Sequence, residues 1–151
     1  MRPTLRLFVV LAFMLIAILS AFAGENLQLN SKLDYASDSQ DGSLITGDHM
    51  ADGVAVGKPA YVILYGEACY NSKRQARRTV NLYRRYKGRV QFVIVDLDHP
   101  LSPAQQDLRK AYYRGYIPHV VLLDASGVPV YNSSGEVEEG VISGLLDKAL
   151  R

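Results

Sequence analysis

An unbroken apolar run of thirteen residues, 7 to 19, opens the chain. Arg2 and Arg6 precede it, no acid occurs before Gly24, and Ala21-Phe22-Ala23 supplies small residues at alternate positions. A positive start, a short apolar core and an A-x-A end describe a secretory signal peptide over residues 1–23. The alternative is an uncleaved membrane anchor, for which the uncharged stretch 7–24 stands near the lower length limit. Residues 24–57 then read as a flexible lead-in. Ser37-Asp38-Ser39-Gln40-Asp41-Gly42-Ser43 is polar and turn-prone, with too little apolar surface to repay ordering. A short helix over 47–56 is the one element suggested there, with Gly53 and Gly57 against it.

From residue 58 the periodicity becomes regular. Tyr61-Val62-Ile63-Leu64-Tyr65, bounded by Pro59 and Gly66, predicts a buried strand. Over 71–86, Ala76, Val80, Tyr83 and Tyr86 recur at helical spacing, Arg74, Arg78 and Arg85 lie opposite, and Gly88 ends the helix. Residues 90–96 predict a second strand. Ser102-Pro103-Ala104-Gln105 carries an N-cap, a proline at the first position and a glutamine that closes a capping box. That helix is expected to run to about Arg114, with Gly115 as its stop. Two short strands, 120–123 and 128–131, flank Ala125-Ser126-Gly127 as a hairpin. Val137, Val141, Leu145 and Ala149 predict a closing helix. Strand, helix, strand, helix, hairpin, helix implies an α/β fold with a parallel first pair and helices on both faces.

Composition narrows the chemistry. One cysteine in 151 residues excludes an internal disulfide and a cysteine-based zinc cluster. The length suits one compact domain and excludes a multidomain enzyme. The net charge of +2 belongs to the leader, since fifteen basic and fifteen acidic side chains balance from Gly24 onward. That neutral remainder is segregated: −5 over residues 24–72, +8 over 73–89 and −3 over 90–151. The basic stretch, interleaved with Tyr83 and Tyr86, reads as a solvated helix face, so no nucleic-acid partner is expected. His49, His99 and His119 are too scattered for a metal motif. No phosphate loop, Ser-His-Asp set or paired catalytic carboxylates can be placed.

Cys69 falls between the first strand and the basic helix. Unpaired amides and the helix dipole at such a position favour an anion, and Lys73 and Arg74 in the next turn add positive potential, so a reactive thiolate is favoured. A lone cysteine is also commonly a buried core residue. Position alone leaves both readings open.

Lys58-Pro59-Ala60-Tyr61-Val62-Ile63-Leu64-Tyr65-Gly66-Glu67-Ala68-Cys69 resembles the strand and active-site approach of the thioredoxin superfamily. Gly115-Tyr116-Ile117-Pro118-His119 is similar to the family's segment whose proline is cis and packs against the active-site sulfur. The resemblance covers about residues 58–150. It implies a three-layer fold, with a central mixed sheet of parallel strands plus a C-terminal antiparallel hairpin, flanked by helices. It implies Cys69 as nucleophile, and Ile117, Pro118 and Tyr70 as the surface for a partner chain.

The departures shape the expected function. The motif reads Cys69-Tyr70-Asn71-Ser72, so a resolving thiol is missing and Ser72 stands in its place, able to hydrogen-bond the sulfur. The buried acid of thioredoxins maps to Ile63, the nearby lysine to Ile94, the helix-kinking proline to Arg77 and the preceding tryptophan to Ala68. What remains is monothiol exchange: Cys69 forming mixed disulfides with disulfide- or thiol-bearing proteins or small thiols, in an isomerase or client-holding role. No cofactor is implied. The iron–sulfur pattern of monothiol glutaredoxins needs Gly-Phe where Tyr70-Asn71 stands. The expected compartment is periplasmic or secreted, where disulfide-bearing clients occur, with membrane attachment only if the leader is uncleaved. The alternative function is a redox-inactive binding module in which Cys69 is structural.

Overall fold

Strand β3 (Ala60–Tyr65) divides its side chains between two cores. Tyr61, Ile63 and Tyr65 enter one buried cluster, while Ala60, Val62 and Leu64 enter the other, because successive side chains of a strand point to opposite faces. Both faces are covered, so the run is apolar throughout instead of alternating. The computed structural model describes residues 23–151. The expected leader, apart from Ala23, lies outside the described residues.

Strand β4 (Gln91–Asp96) pairs parallel with β3, in register from Ala60–Gln91 to Tyr65–Asp96. On the other side β5 (His119–Leu123) pairs antiparallel with β3, and β6 (Pro129–Ser134) pairs antiparallel with β5. The order is β4-β3-β5-β6. Helix α1 (Tyr70–Tyr86) makes the parallel crossover. It shares one face with α3 (Glu139–Ala149), since Ala76, Val80, Ile142 and Leu146 join the cluster of Tyr61 and Ile63. Helix α2 (Pro103–Tyr112) covers the opposite face through Leu108. The result is the three-layer arrangement of a mixed sheet between helices.

Local chemistry explains the connections. In the hairpin, Asp124 Oδ1 accepts from Ser126 N at 2.9 Å, Ser126 Oγ at 2.6 Å and Val128 N at 3.0 Å. Gly127 supplies the left-handed residue, φ 87°. At the start of α2, Ser102 Oγ accepts from Gln105 N at 3.2 Å while Gln105 Oε1 accepts from Ser102 N at 3.0 Å. Ser102→Ala is expected to lower the unfolding free energy by about 1 kcal/mol, read as a shifted urea midpoint; an unmoved midpoint would show the cap to be dispensable.

Four expectations change. Residues 24–57 hold two strands, β1 (Glu25–Leu29) and β2 (Ile45–Asp48), paired antiparallel in a separate two-stranded sheet. Leu27, Tyr35, Leu44 and Ile45 are buried in the larger core cluster. The strands are short and a register shift between Glu25 and Gln28 breaks their alternation, so no clean period-two signal exists. Residues 47–56 form no helix. Gly47 is instead a point of close approach, where a Cβ would fall 2.5 Å from Glu25 O. Helix α2 ends at Tyr112, short of Arg114. Finally, Val137 precedes α3 and Val141 is 51% exposed. The buried face of α3 is Ile142, Ser143 and Leu146, a rotation of about one position from the expected stripe.

Candidate functional site

After β3 the chain turns through Gly66-Glu67-Ala68 and places Cys69 at the N-cap of α1, with φ −88° and ψ 118°. Gly66 keeps the turn close to the Ile117 side chain, where a Cβ would fall 2.6 Å from Ile117 Cδ1. Cys69 N–H donates to Gly66 O at 3.4 Å, and Cys69 C=O accepts from Lys73 N at 3.0 Å. The thiol is free and partly exposed. The Cys69 side chain makes no capping bond, so the first amides of α1 need other acceptors.

One of them finds Asp38, whose Oδ1 accepts from Tyr70 N at 2.7 Å. The carboxylate comes from the segment expected to be a flexible lead-in. Lys73 holds that segment down. Lysine is rarely fully buried unless paired, yet Lys73 is 1% exposed. Its Nζ donates to Asp34 O at 2.6 Å, Ser39 O at 2.7 Å and Ser39 Oγ at 3.1 Å, which uses all three ammonium protons. Ser37 Oγ donates to Asp34 Oδ2 at 2.6 Å, and that bond, with the Ala36 N–H, holds the Asp34 carboxyl below its ordinary range. Tyr35 is buried beneath, with its hydroxyl donating to Leu44 O and the Arg77 guanidinium 5.5 Å from its ring centre. Residues 34–41 therefore form a strap across the start of α1. Asp38 occupies the position where the helix dipole favours an anion, in competition with a thiolate.

The predicted tuning residues are otherwise engaged. The Lys73 ammonium serves the strap. Arg74 meets Glu136 through Nε at 2.9 Å and Nη2 at 2.5 Å, and Arg78 reaches Glu136 at 2.9 Å and Glu138 at 2.7 Å. The basic face of α1 is thus partly answered by the approach to α3. Arg74 also lies 5.4 Å over the Tyr70 ring, and Tyr70 is 38% exposed beside the thiol. Ser72 is fully buried and its hydroxyl has no hydrogen-bond partner among the described residues, so the expected bond to sulfur is not made.

The other half of the site comes from the approach to β5. The Ile117–Pro118 peptide is cis. His119 registers with Leu64 across the antiparallel pair, which carries Ile117 and Pro118 alongside Tyr65 and Gly66, at the Cys69 end of the sheet. Pro118 is buried, Ile117 half-buried and Tyr116 exposed. His119 does not turn to the thiol. Its Nδ1 is 2.8 Å from Ser134 Oγ and its Nε2 is 2.6 Å from Asn132 Oδ1, so both nitrogens are taken by β6.

No family model and no curated protein matches the chain. Solved structures do. Thioredoxin-2, a component of the malaria parasite protein secretion machinery, aligns with a TM-score of 0.52 at 18% identity, over 60% of this chain and 82% of that one. A second malarial protein aligns with a TM-score of 0.51 at 18% identity, over 62% of this chain and 99% of that one. The fold is thioredoxin-like. Within this thioredoxin-like fold, Ile63 and Ile94 are register partners in the buried sheet and belong to one apolar cluster, leaving that position without a titratable pair. No helix among the described residues is long and apolar enough to cross a membrane.

Two groups escaped the sequence reading. Asp38 looked like one of several carboxylates in a turn-rich stretch, and only the fold lays it on Tyr70. Glu67 and His99 are far apart in sequence, yet His99 Nε2 is 2.7 Å from Glu67 Oε1. Burial, with the Asp96 charge, pushes the Glu67 carboxyl up, and the bond to Glu67, with Asp96, pushes His99 up. The signal needed was the β3–β4 register, which alone brings the two strand ends together.

Proposed function

We propose that this protein performs thioredoxin-like thiol–disulfide exchange through Cys69 alone. The observation that carries the reading is the placement of Cys69: a free, partly exposed thiol at the N-cap of α1, at the carboxyl end of β3 and the same sheet end as Ile117-Pro118. The Cys69 thiolate attacks one sulfur of a client disulfide. A mixed disulfide forms, and the other client sulfur leaves as a thiolate that takes a proton from water. That client thiol, or a small thiol, then attacks the mixed disulfide and returns Cys69, so cysteine pairing is rearranged with no net oxidation. Ser72 cannot resolve the intermediate, which gives it a longer life and suits isomerisation or client holding. Ile117 and Tyr70, with the buried Pro118 next to Ile117, offer the partner a partly apolar rim. The leader-like composition of residues 1–23 supports an exported setting, periplasmic or secreted, where such clients exist.

The test uses oxidised glutathione and a scrambled disulfide-bonded protein as substrates. The wild-type chain is expected to form a mixed-disulfide adduct on Cys69, seen by mass spectrometry, and to reshuffle the scrambled protein. Cys69→Ser is expected to do neither. If the wild-type chain forms no adduct, exchange is refuted and the binding-module reading replaces it.

A further inference from the structure

The strand ends beside the thiol carry a second constellation that exchange does not use. Tyr65 registers with Asp96 in the parallel pair, so the turn after β3 and the turn after β4 emerge side by side. One oxygen of Glu67, one oxygen of Asp96 and a ring nitrogen of His99 all lie within 4.8 Å of one another. His99 Nε2 stands 2.7 Å from Glu67 Oε1 and 3.9 Å from Asp96 Oδ2.

Charge is unbalanced at this corner. Glu67 is 5% exposed, and its ion pair among the described residues is to a histidine, which carries no permanent charge. Asp96 adds a second carboxylate, and Asp98 a third nearby, its Oδ2 accepting from Glu67 N at 2.7 Å. A buried carboxylate that faces a second one without a permanent cation is repelled, and a divalent ion relieves that repulsion.

The surroundings also suit an ion. Tyr65 OH donates to Asp96 Oδ2 at 3.0 Å and itself accepts from Leu44 N at 3.2 Å, which fixes the carboxylate from behind. The Asp98 bond fixes the backbone that carries Glu67. Such outer hydrogen bonds orient metal ligands. Beside Asp96 and His99, a cavity of about 350 Å³, walled also by Tyr65, Ser43, Thr46 and Met50, leaves room for water or a further ligand. Two carboxylate oxygens and one imidazole nitrogen, with open positions, form the donor set of zinc(II)-class transition metals.

We propose that Glu67, Asp96 and His99 form a divalent transition-metal site, selective for zinc(II)-class ions over magnesium. This site does not depend on the exchange chemistry of Cys69.

The full chain, stripped of metal with a chelator, is titrated calorimetrically with zinc chloride and with magnesium chloride. The Cys69→Ser background removes thiolate binding from the readout. One zinc per chain is expected, with weaker magnesium binding. His99→Ala and Asp96→Asn in that background are expected to weaken zinc by at least about tenfold. His99 is exposed at the surface, so its replacement leaves the fold intact, and Asp96→Asn keeps an acceptor for Tyr65. A zinc-dependent rise in melting temperature, present in the background and lost in both variants, is the second readout. Absence of stoichiometric zinc binding, or binding unchanged by His99→Ala and Asp96→Asn, would overturn the site. Loss of binding on Cys69→Ser alone would overturn it too, because the thiol would then be the ligand.

Discussion

Ile63→Asp is expected to destabilise the protein by about 3–5 kcal/mol near neutral pH. Residue 63 is where the resemblance to thioredoxins puts a buried acid, so the substitution introduces a feature of those proteins. It introduces it into an environment with no partner for it. Ile63 is fully buried and Ile94, its register partner on β4, is 3% exposed. A carboxylate there meets an apolar cluster with no cation to answer it, and burial raises its folded pKa above the unfolded value of about 3.9. The unfolded chain then gives up its proton first, so the deficit is smaller in acid and grows as pH rises. Urea denaturation at pH 5 and pH 8 reads this directly. Ile63→Asp/Ile94→Lys is expected to recover about 1–3 kcal/mol of the loss, because the two positions share a face and form an ion pair. A single variant as stable as wild type at pH 8 would show that water reaches position 63. Neither variant is expected to speed disulfide exchange, since the missing resolving thiol is unchanged.

That pair of isoleucines illustrates what could be read from the chain alone. Position 63 sits in a run apolar at every residue, and only a strand covered on both faces produces such a run, so the central sheet was legible. The α2 cap was equally legible, because Ser102, Pro103 and Gln105 act on one another within four positions. Cys69 was legible as a position, the junction of strand and helix. What acts on Cys69 was not. The charge block after it predicted free positive potential, but Lys73 bonds backward to Asp34 and Ser39, and Arg74 forward to Glu136. Those bonds span long loops and leave no periodic trace. Val141 misled for a different reason: α3 buries Ile142 and Leu146, and a stripe drawn one position away fits the same spacing.

Lys73→Met carries the second large expectation, a loss of about 2–3 kcal/mol. Methionine keeps the length and apolar stem of lysine but leaves Asp34 O and Ser39 O without their charged donor. The strap over residues 34–41 should detach before the domain unfolds, because its remaining ties are Asp38 on Tyr70 and the buried Tyr35 ring. Hydrogen exchange is expected to rise across 34–41 and at Tyr70, with the central strands unchanged. The same variant separates two roles for the ammonium. Were it a tuning charge for the sulfur, as its proximity in sequence suggests, its loss would slow alkylation of Cys69 and leave stability untouched. Were it a clamp, its loss would release Asp38 from the helix start and remove the competing anion, so alkylation would quicken while stability falls. The geometry supports the clamp. Asp38→Asn isolates the carboxylate, since it removes the competing anion and leaves the clamp in place. Its charge is exposed and screened, so the expected gain in alkylation rate is about two- to fivefold, with little change in stability. Faster alkylation in both variants, with instability in Lys73→Met alone, places the strap as the control on the reactivity of Cys69. Slower alkylation in Lys73→Met would return the ammonium to the sulfur.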